Sequence, residues 1–394
     1  MTSKVIEIRY PLLLSATVFL LLTIFFLTSC AGKKSLPISK VTEIPSANSS
    51  NTETRLAWEQ EWERTIREAK KEGTVVIHLG SGISTSLRQE ISKIMKSKYN
   101  LELEIVAGRA TELAEKIIRE HKAGLYLADI YIAGATTAIL RIKPGGVLDP
   151  VEPMFILPEV KDGKLWLEGK LPFVDKEKLI LAFSAYPNTG LSYNADYVSK
   201  EDLQSYRDLL NPRWKGKIVM SDPSIGGSGN SWFYAIGLKV MGTEYLKELA
   251  KQDISFTRDL RLMVEWMARG KHVLGIGAGG AVLEMQRAGV PLYLHTPKEG
   301  DYLTSGWGNL ALYKHTPHPN ATRIFINWLL SKEGQTVFSR GQDTQSARVD
   351  VPTDFISPDA VRKPGLSYFN STTEDAEAEK SPAMQIAREI FNIK

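Results

Sequence analysis

From Thr74 onward the sequence repeats one pattern, in which an apolar strand is followed by a small-residue loop and an amphipathic helix. Residues 74–79 are strand-like, and the helix after Ser84 turns Leu87 and Ile91 inward. Similar units follow at 101–118 and 128–141. Repeated units of this length predict an α/β fold in which helices cover both faces of a parallel sheet.

Prolines and glycines interrupt this rhythm at 143–178, and a second α/β set begins near Ser199. The periodicity predicts strands at 217–221, 271–276, 290–295 and 309–313, and helices at 230–241, 258–269 and 281–288. Asn320 is expected to cap a later helix, and Ser331 to begin another. The acidic stretch 374–379 is interpreted as a solvated tail.

Loops rich in glycine and hydroxyl residues stand between strand ends and helix starts. They span 80–85, 107–111 and 134–137 in the first set, and 226–231 and 277–280 in the second. Ligands of open α/β sheets bind at this edge, where free helix N–H groups favour anionic or oxygen-rich molecules. Any one loop is better explained as a tight turn or helix cap. Five together indicate a shared cleft.

The candidate ligand-binding residues come from these loops. Arg109 is the fixed cation among them, and its planar fork could hold a carboxylate or phosphate. The glycines permit close approach of the backbone, and the hydroxyls supply adaptable hydrogen bonds. The residues predicted to meet the ligand are Ser81, Gly82, Ser84, Arg109, Thr136, Thr137, Ser228, Asn230, Ser231, Gly279 and Gly280.

The single cysteine, Cys30, closes the one long apolar run of the chain. Lys4 and Arg9 precede the run, and Leu-Thr-Ser leads into Cys30, which is the layout of an export signal. The L-T-S-C ending resembles the lipobox of bacterial lipoproteins, which implies that Cys30 becomes the lipidated first residue of the mature protein. An uncleaved membrane helix is the alternative, although the run at 12–27 is shorter than the roughly 20 residues of a spanning helix.

Residues 31–57 are rich in Ser, Asn and Thr, so they predict a flexible tether ahead of a helix near Trp58. Basic and acidic residues number 49 and 45 and are interspersed, which argues against a nucleic-acid partner. Six histidines and one committed cysteine leave little material for a metal site. No catalytic set, metal site or cofactor is therefore expected.

Several segments resemble one protein family. They are Trp-Lys-Gly-Lys-Ile-Val-Met-Ser-Asp-Pro at 214–223, Asn-Trp-Leu-Leu-Ser-Lys-Glu-Gly-Gln at 327–335, and Ala128-Asp129 before an apolar strand. They are similar to segments of substrate-binding proteins of ABC importers, in the ferric-iron group of the type II periplasmic binding protein fold. The resemblance covers about residues 58–345. It implies an α/β receptor whose two lobes meet at a hinge of crossing strands near 179–194 and 295–312.

The resemblance also implies the domain organisation and the partners. A lipoprotein signal peptide at 1–30 and a tether at 31–57 would precede lobe I, formed by 58–185 and 306–394, and lobe II, formed by 186–305. We expect a monomer, lipid-anchored at the outer face of the cytoplasmic membrane, either periplasmic or at the cell surface. Its partners would be a small-molecule solute and an ABC permease.

The ligand expected from the resemblance depends on one difference. Ferric binders of this family carry a tyrosine pair after the strand that corresponds to 271–276, whereas this chain has Gly279 and Gly280 there. A small anionic or oxygen-rich organic solute is therefore expected. The alternatives are a ferric-iron receptor of the same family, an exported enzyme on the same fold, and an anchored sensor domain.

Overall fold

Two large β-sheets and one small sheet organise the folded chain. The computed structural model describes residues 49–188 and 190–393. Its strands are β1 (Thr74–Gly80), β2 (Glu102–Gly108), β3 (Ile130–Ala133), β4 (Leu148–Asp149), β5 (Ile180–Ala182), β6 (Tyr186–Pro187), β7 (Leu191–Asn194), β8 (Ile218–Ser221), β9 (Ser255–Thr257), β10 (Leu274–Ile276), β11 (Leu292–His295), β12 (Asp301–Thr304), β13 (Asn309–Tyr313) and β14 (Tyr368–Asn370).

The helices alternate with these strands along most of the chain. They are α1 (Ser49–Glu72), α2 (Thr85–Tyr99), α3 (Ala110–Lys122), α4 (Ala135–Thr137), α5 (Pro158–Lys161), α6 (Ser228–Trp232), α7 (Thr243–Leu249), α8 (Leu260–Ala268), α9 (Gly279–Arg287), α10 (Pro319–Leu330), α11 (Lys332–Gln342) and α12 (Glu374–Phe391). Segments of π-helix extend α4 through Ala138–Ile142 and α6 through Phe233–Met241. Short 3-10 turns lie at Glu152–Met154, Gly163–Leu165, Leu167–Gly169, Lys200–Leu203, Tyr206–Leu210, Pro212–Trp214, Ala250–Gln252 and Pro358–Ala360.

The first sheet has the strand order β2-β1-β3-β13-β4, and β5 also pairs with β13. Strands β1, β2 and β3 are parallel, but β13 runs antiparallel to β3, β4 and β5. The prediction of a wholly parallel sheet is therefore wrong for this strand. The reason is that β13 enters directly from the small sheet, without a helical crossover to reverse its direction.

Alternation along β1 divides the first lobe into two hydrophobic layers. Ile77 lies in a core cluster with Leu87 of α2, Phe325 of α10 and Phe338 of α11. The neighbouring Val76 belongs to another cluster, to which α3 and the π-helical segment contribute. A strand buried on both faces needs apolar residues at successive positions, which explains the continuous run in the sequence.

The second sheet has the order β11-β7-β10-β8-β9. Strands β8, β9 and β10 are parallel, whereas β7 and β11 run antiparallel to their neighbours. One hydrophobic cluster on this sheet contains Trp232 and Phe233, and another contains Met263 and Met267 of α8. This second lobe therefore has its own core.

A small sheet of order β14-β12-β6, here called the hinge sheet, lies on the chain path between the two large sheets. The chain leaves the first sheet through β5, passes β6 and enters the second sheet at β7. It returns through β11, β12 and β13, and β6 pairs with β12 through Thr304 opposite Tyr186. The predicted crossing strands correspond to these two passages. A third passage leads through β14 to α12, and the sequence pattern did not predict it.

The N-terminal predictions fall largely outside the described residues. The signal peptide at 1–30 with Cys30, and residues 31–48 of the predicted tether, lie there. Helix α1 begins at Ser49, so residues 49–57 are helical and the predicted tether is wrong for them. No glycine or proline interrupts the sequence between Ser49 and Glu72, which permits this extension. Within the described residues no helix combines the length and apolar character needed to cross a bilayer.

The acidic stretch 374–379 begins helix α12 and is not a tail without regular structure. The hydroxyl of Thr373 accepts a hydrogen bond from Ala376 N–H, and acidic side chains in the first turn complement the helix dipole. Ala376, Ala383 and Ala387 pack into the core of the second lobe. The prediction placed all of 306–394 in lobe I, whereas this last helix packs against the second lobe.

Asn320 is the second residue of α10, so the prediction that it caps this helix is wrong. His318 stands at the cap position, and proline begins the helix at 319. Asn320 instead donates through Nδ2 to the Glu72 carboxylate over 2.6 Å. The predicted start at Ser331 is confirmed, because its hydroxyl accepts a hydrogen bond from Gly334 N–H at the start of α11.

Substitution of Gly300 by alanine should destabilise the fold more than the same substitution at Gly289. Both glycines have positive φ, +88° and +83°, which costs an L-residue about 1–2 kcal/mol. A Cβ at Gly300 would lie 1.8 Å from the carbonyl oxygen of Ser367, whereas one at Gly289 meets no atom within 4 Å. Urea unfolding should show an extra loss of about 1–3 kcal/mol for Gly300→Ala. Equal losses would contradict the crowding at the hinge sheet.

Candidate functional site

A cleft of about 380 Å³ lies where both lobes meet the hinge sheet. The segment after α11 lines it from the first lobe, and α9 lines it from the second. The lining residues are Tyr186, Pro187, Asn188, Gly279, Gly280, Leu283, Glu284, Arg287, Leu294, Trp307, Gln342, Asp343, Thr344 and Ala360. The predicted residues Gly279 and Gly280 are thus on the cleft wall.

Trp307 connects this cleft to the first predicted loop. Its ring lies so close to the backbone that a Cβ at Gly80 would be 2.5 Å from Cε3, and one at Gly82 would be 2.4 Å from Nε1. These glycines therefore allow an indole to cover the strand end. Ser81 and Gly82 are exposed beside it, and Ser81 N–H donates to Gly108 O over 2.9 Å. The loops after β1 and β2 are consequently adjacent.

On the second lobe, the two predicted loops contact each other. Ser228 Oγ donates to Gly277 O over 2.6 Å. Asn188 Nδ2 donates to Tyr302 Oη over 2.7 Å, and Tyr302 Oη donates in turn to Ser228 O over 3.4 Å. A Cβ on Gly279, whose φ is +32°, would lie 2.8 Å from Asn188 Oδ1. The Asn188 amide thus occupies the space that a side chain at position 279 would need.

Other residues predicted to bind the ligand instead form hydrogen bonds that stabilise the fold. Ser84 Oγ accepts from Leu87 N–H over 3.3 Å as the cap of α2 and donates to Gly341 O over 3.2 Å. Asn230 is buried, and its Nδ2 donates to Pro223 O and Lys380 O, both over 3.3 Å. The side chain of Asn230 therefore fastens α12 to the second lobe and does not line the cleft. Ser231 is half-buried in α6.

The structure does not place Arg109 on the cleft wall. Its side chain is 81% exposed at the start of α3 and forms an ion pair with Glu112 at 3.7 Å. The loop after β3 presents an exposed Thr136, while Thr137 is half-buried. Tyr131 Oη itself donates to Gly134 O over 3.1 Å.

The cleft's charged side chains were missed by the sequence reasoning. Arg287, at the end of α9, forms an ion pair with Asp343, which directly follows α11. Glu284 lies one turn before Arg287 on the same helix. Neither helix end has a recognisable ligand motif, so sequence pattern alone offered no signal for these residues. Tyr186 and Trp307 add aromatic side chains to the same wall.

Asp301 is a buried carboxyl in the hinge sheet, close to the cleft. Its Oδ2 accepts from Gly190 N–H over 3.1 Å and its Oδ1 from Tyr302 N–H over 2.9 Å. Burial raises the pKa of Asp301 to about 8, although the two backbone N–H groups and Lys363 oppose this change. Burial likewise raises the pKa of Tyr186 to about 12, which disfavours a phenolate on the cleft wall.

His78 and His318 form hydrogen-bonding contacts within the fold of the first lobe. His318 Nδ1 lies 3.0 Å from the Asp129 carboxylate, and His78 Nδ1 lies 3.1 Å from Tyr313 Oη. Burial lowers the pKa of His78 to about 4, with a further contribution from Lys116. Throughout residues 49–188 and 190–393, no group of three His, Cys, Asp or Glu side chains could hold a metal ion.

The sequence profile of bacterial extracellular solute-binding proteins matches residues 90–364, which is most of the chain. The chain belongs to this family. It is a solute-binding receptor of the ABC-importer type and lies outside the cytoplasm, as members of an extracellular solute-binding family do. An uncharacterized protein of Haemophilus influenzae is 24% identical over 83% of this chain and 92% of its own length.

Solved structures share the fold of this solute-binding protein. FutA of Trichodesmium, in complex with iron and citrate, has a TM-score of 0.61 at 20% identity, over 81% of this chain and 98% of FutA. AfuA of Actinobacillus pleuropneumoniae, with bound fructose-6-phosphate, has a TM-score of 0.57 at 21% identity, over 82% and 99% of the two chains. These likenesses confirm the predicted two-lobed type II fold. At identities this low, the ligand of a relative cannot be assigned to this chain.

The Asp301 carboxyl should make the stability of the protein depend on pH. Its pKa is near 4 in an unfolded chain and about 8 when folded, so the folded state binds the extra proton. The stability this proton contributes is complete below about pH 4 and is lost as the pH rises to 8. Asp301→Asn removes this titration. The free energy of unfolding of the variant, taken relative to that of wild type, should therefore rise by more than about 1 kcal/mol between pH 5 and pH 9.

Urea unfolding at a series of pH values measures this difference. The tyrosines around Asp301, including Tyr302 and Tyr206, have pKa values raised by burial and do not titrate in this range. A stability difference that stays constant from pH 5 to 9 would rule out a titrating carboxyl at Asp301.

Proposed function

We propose that this solute-binding protein grips a small anionic or oxygen-rich organic solute in the cleft beside the hinge sheet and releases it unchanged to an ABC permease. One observation carries the proposal. A single volume is lined by α9 of the second lobe, by the segment after α11 of the first lobe, and by the hinge residues between them. Closure of two lobes on such a volume encloses a ligand on several sides.

The chemistry of the wall favours polar organic ligands. The N-terminus of α9 brings backbone N–H groups to the cleft at Gly279 and Gly280, where oxygen acceptors bind well. Asn188, Gln342 and Thr344 add side-chain donors and acceptors. The predicted contacts at Ser81, Gly82 and Thr136 belong to this proposal, because these loops are exposed at the carboxyl edge of the first sheet.

A ferric-iron cargo is the second candidate, because FutA, whose fold this chain shares, is described in complex with iron and citrate. Ferric iron prefers hard oxygen ligands such as carboxylates and phenolates. The cleft wall offers Tyr186, Glu284 and Asp343, but burial opposes ionisation of Tyr186 and the Asp343 carboxylate is paired with Arg287. These observations favour the organic solute.

Binding without catalysis fits the hydroxyl groups of the predicted site. Ser84 Oγ and Ser228 Oγ both donate to backbone carbonyl oxygens and not to a neighbouring base. An activated serine needs its proton held by a base within hydrogen-bond reach. We propose in addition that the protein acts as a monomer.

Trp307→Ala should weaken solute binding at least tenfold, because it removes an aromatic wall of the cleft. Native mass spectrometry of the protein purified from cells would identify a retained solute. Thermal shift with sugar phosphates, phosphonates and ferric citrate would then rank the ligand classes, and titration calorimetry would measure the affinity. Trp266→Ala is the matched control, since Trp266 is also half-buried but packs beside Lys271 in the second lobe.

Two results would overturn the proposed ligand. Saturable binding of ferric ion alone, with no stabilisation by any organic anion, would support the iron receptor instead. Equal affinities in the Trp307 and Trp266 variants would place the solute outside this cleft.

Cys30→Ser should release the protein from the membrane fraction and abolish its labelling by a fatty-acid analogue. This expectation follows from the L-T-S-C ending and from the thioether that a lipidated cysteine forms. Phase partitioning in detergent and metabolic labelling would measure both effects. If the variant stays in the membrane fraction and the wild type takes no label, the uncleaved helix is the anchor.

A further inference from the structure

An ion pair joins the two lobes across the cleft. The Arg287 guanidinium meets the Asp343 carboxylate, and both residues line the cleft. Their side chains are 59% and 26% exposed, so this pair lies at the solvent-facing part of the wall. Arg287 belongs to the second lobe and Asp343 to the first.

Each partner is fixed to its own lobe. Helix α9, which carries Arg287, packs through Val282 into a core cluster of the second lobe. Helix α11, which precedes Asp343, packs through Val337 and Phe338 into the core of the first. Each charge therefore moves with its own lobe, and a rotation of the lobes about the hinge sheet would separate the two charges.

Asp343 is also held in position by its backbone. It adopts the left-handed conformation at φ 52°, which Asp tolerates better than most residues, and this ends α11. Its other carboxylate oxygen, Oδ1, accepts from Ser357 N–H over 3.3 Å. The carboxylate is thus aimed at Arg287 before the lobes approach, so forming the pair costs little side-chain ordering on this side.

We propose that Arg287 and Asp343 form a latch that positions the two lobes against each other in the closed receptor. The pair exists only when α9 and the end of α11 are side by side, so its attraction favours this arrangement over one in which the lobes are rotated apart. The proposal extends the proposed function by naming residues that hold the cleft shut.

The solvent exposure of the Arg287–Asp343 pair sets how strongly it can shift the balance between closed and open receptor. Partly exposed ion pairs contribute modestly, so the latch should change the ratio of closed to open receptor by roughly two- to fivefold. Added salt screens such a pair, because the Debye length falls from about 14 Å at 50 mM to about 4 Å at 500 mM. Salt should therefore lower the closed fraction of the wild type.

Pulsed electron paramagnetic resonance measures the distance between two spin labels, and on solute-free protein this distance tests the latch directly. Spin labels would be placed at the exposed positions Lys93 of α2 and Arg261 of α8, one on each lobe, in a full-length Cys30→Ser chain. Exhaustive dialysis removes retained solute. Asp343→Asn keeps the left-handed backbone favourable, and Arg287→Gln removes the other charge.

Either substitution should lower the closed-to-open ratio two- to fivefold, and the double variant should match the single variants, because one interaction is lost in all three. The melting temperature should stay within a degree or two of wild type, which separates a latch from a general loss of stability. Glu265→Gln is the control, since it breaks an exposed ion pair with Arg269 that lies wholly within the second lobe.

Three outcomes would overturn the latch. They are an unchanged closed fraction in Asp343→Asn, strictly additive effects of the two substitutions, and the same salt dependence in wild type and variant. An increased closed fraction would also exclude it, because the charge pair would then oppose closure. The measurement uses no solute, so a failed latch leaves the proposed receptor function standing.

Discussion

The antiparallel pairing of β6 with β12 determines how the rest of the molecule can move. These two short strands carry the chain out of the first lobe and back into it, and Thr304 lies opposite Tyr186 where they meet. Asp301 then fastens β12 to Gly190, just before the second sheet begins. Because both passages are joined side by side, the lobes can rotate about them but cannot slide apart. The cleft lies beside this pivot.

Glycines set the character of the cleft as much as side chains do. The indole of Trp307 covers Gly80 and Gly82, and the Asn188 amide fills the space beside Gly279. A side chain at any of these positions would push the wall outward or close it. The wall therefore presents backbone groups and a few fixed rings, so its hydrogen-bond donors are already oriented before a solute arrives.

The sequence predicted the parts of the fold that depend on local pattern. Alternating strands and helices appear as the two lobes, because periodicity of apolar residues is decided within each segment. The direction of β13 and the attachment of α12 could not be predicted, since both depend on contacts with distant residues. Asn230 shows the same limit: its loop suggested a ligand, but its amide holds Lys380 of a helix 150 residues later.

The side chains that line the cleft are the least predictable part of the structure for a related physical reason. Turn glycines and cap hydroxyls are required by the fold itself, so they recur wherever a strand leads into a helix. Arg287, Glu284 and Asp343 instead line the cleft near two helix ends that no sequence motif marks. Relatives that share this architecture carry iron with citrate or a sugar phosphate, so the scaffold allows several cargoes. We therefore expect specificity to come from such cleft-lining positions, where segments distant in sequence bring their side chains together.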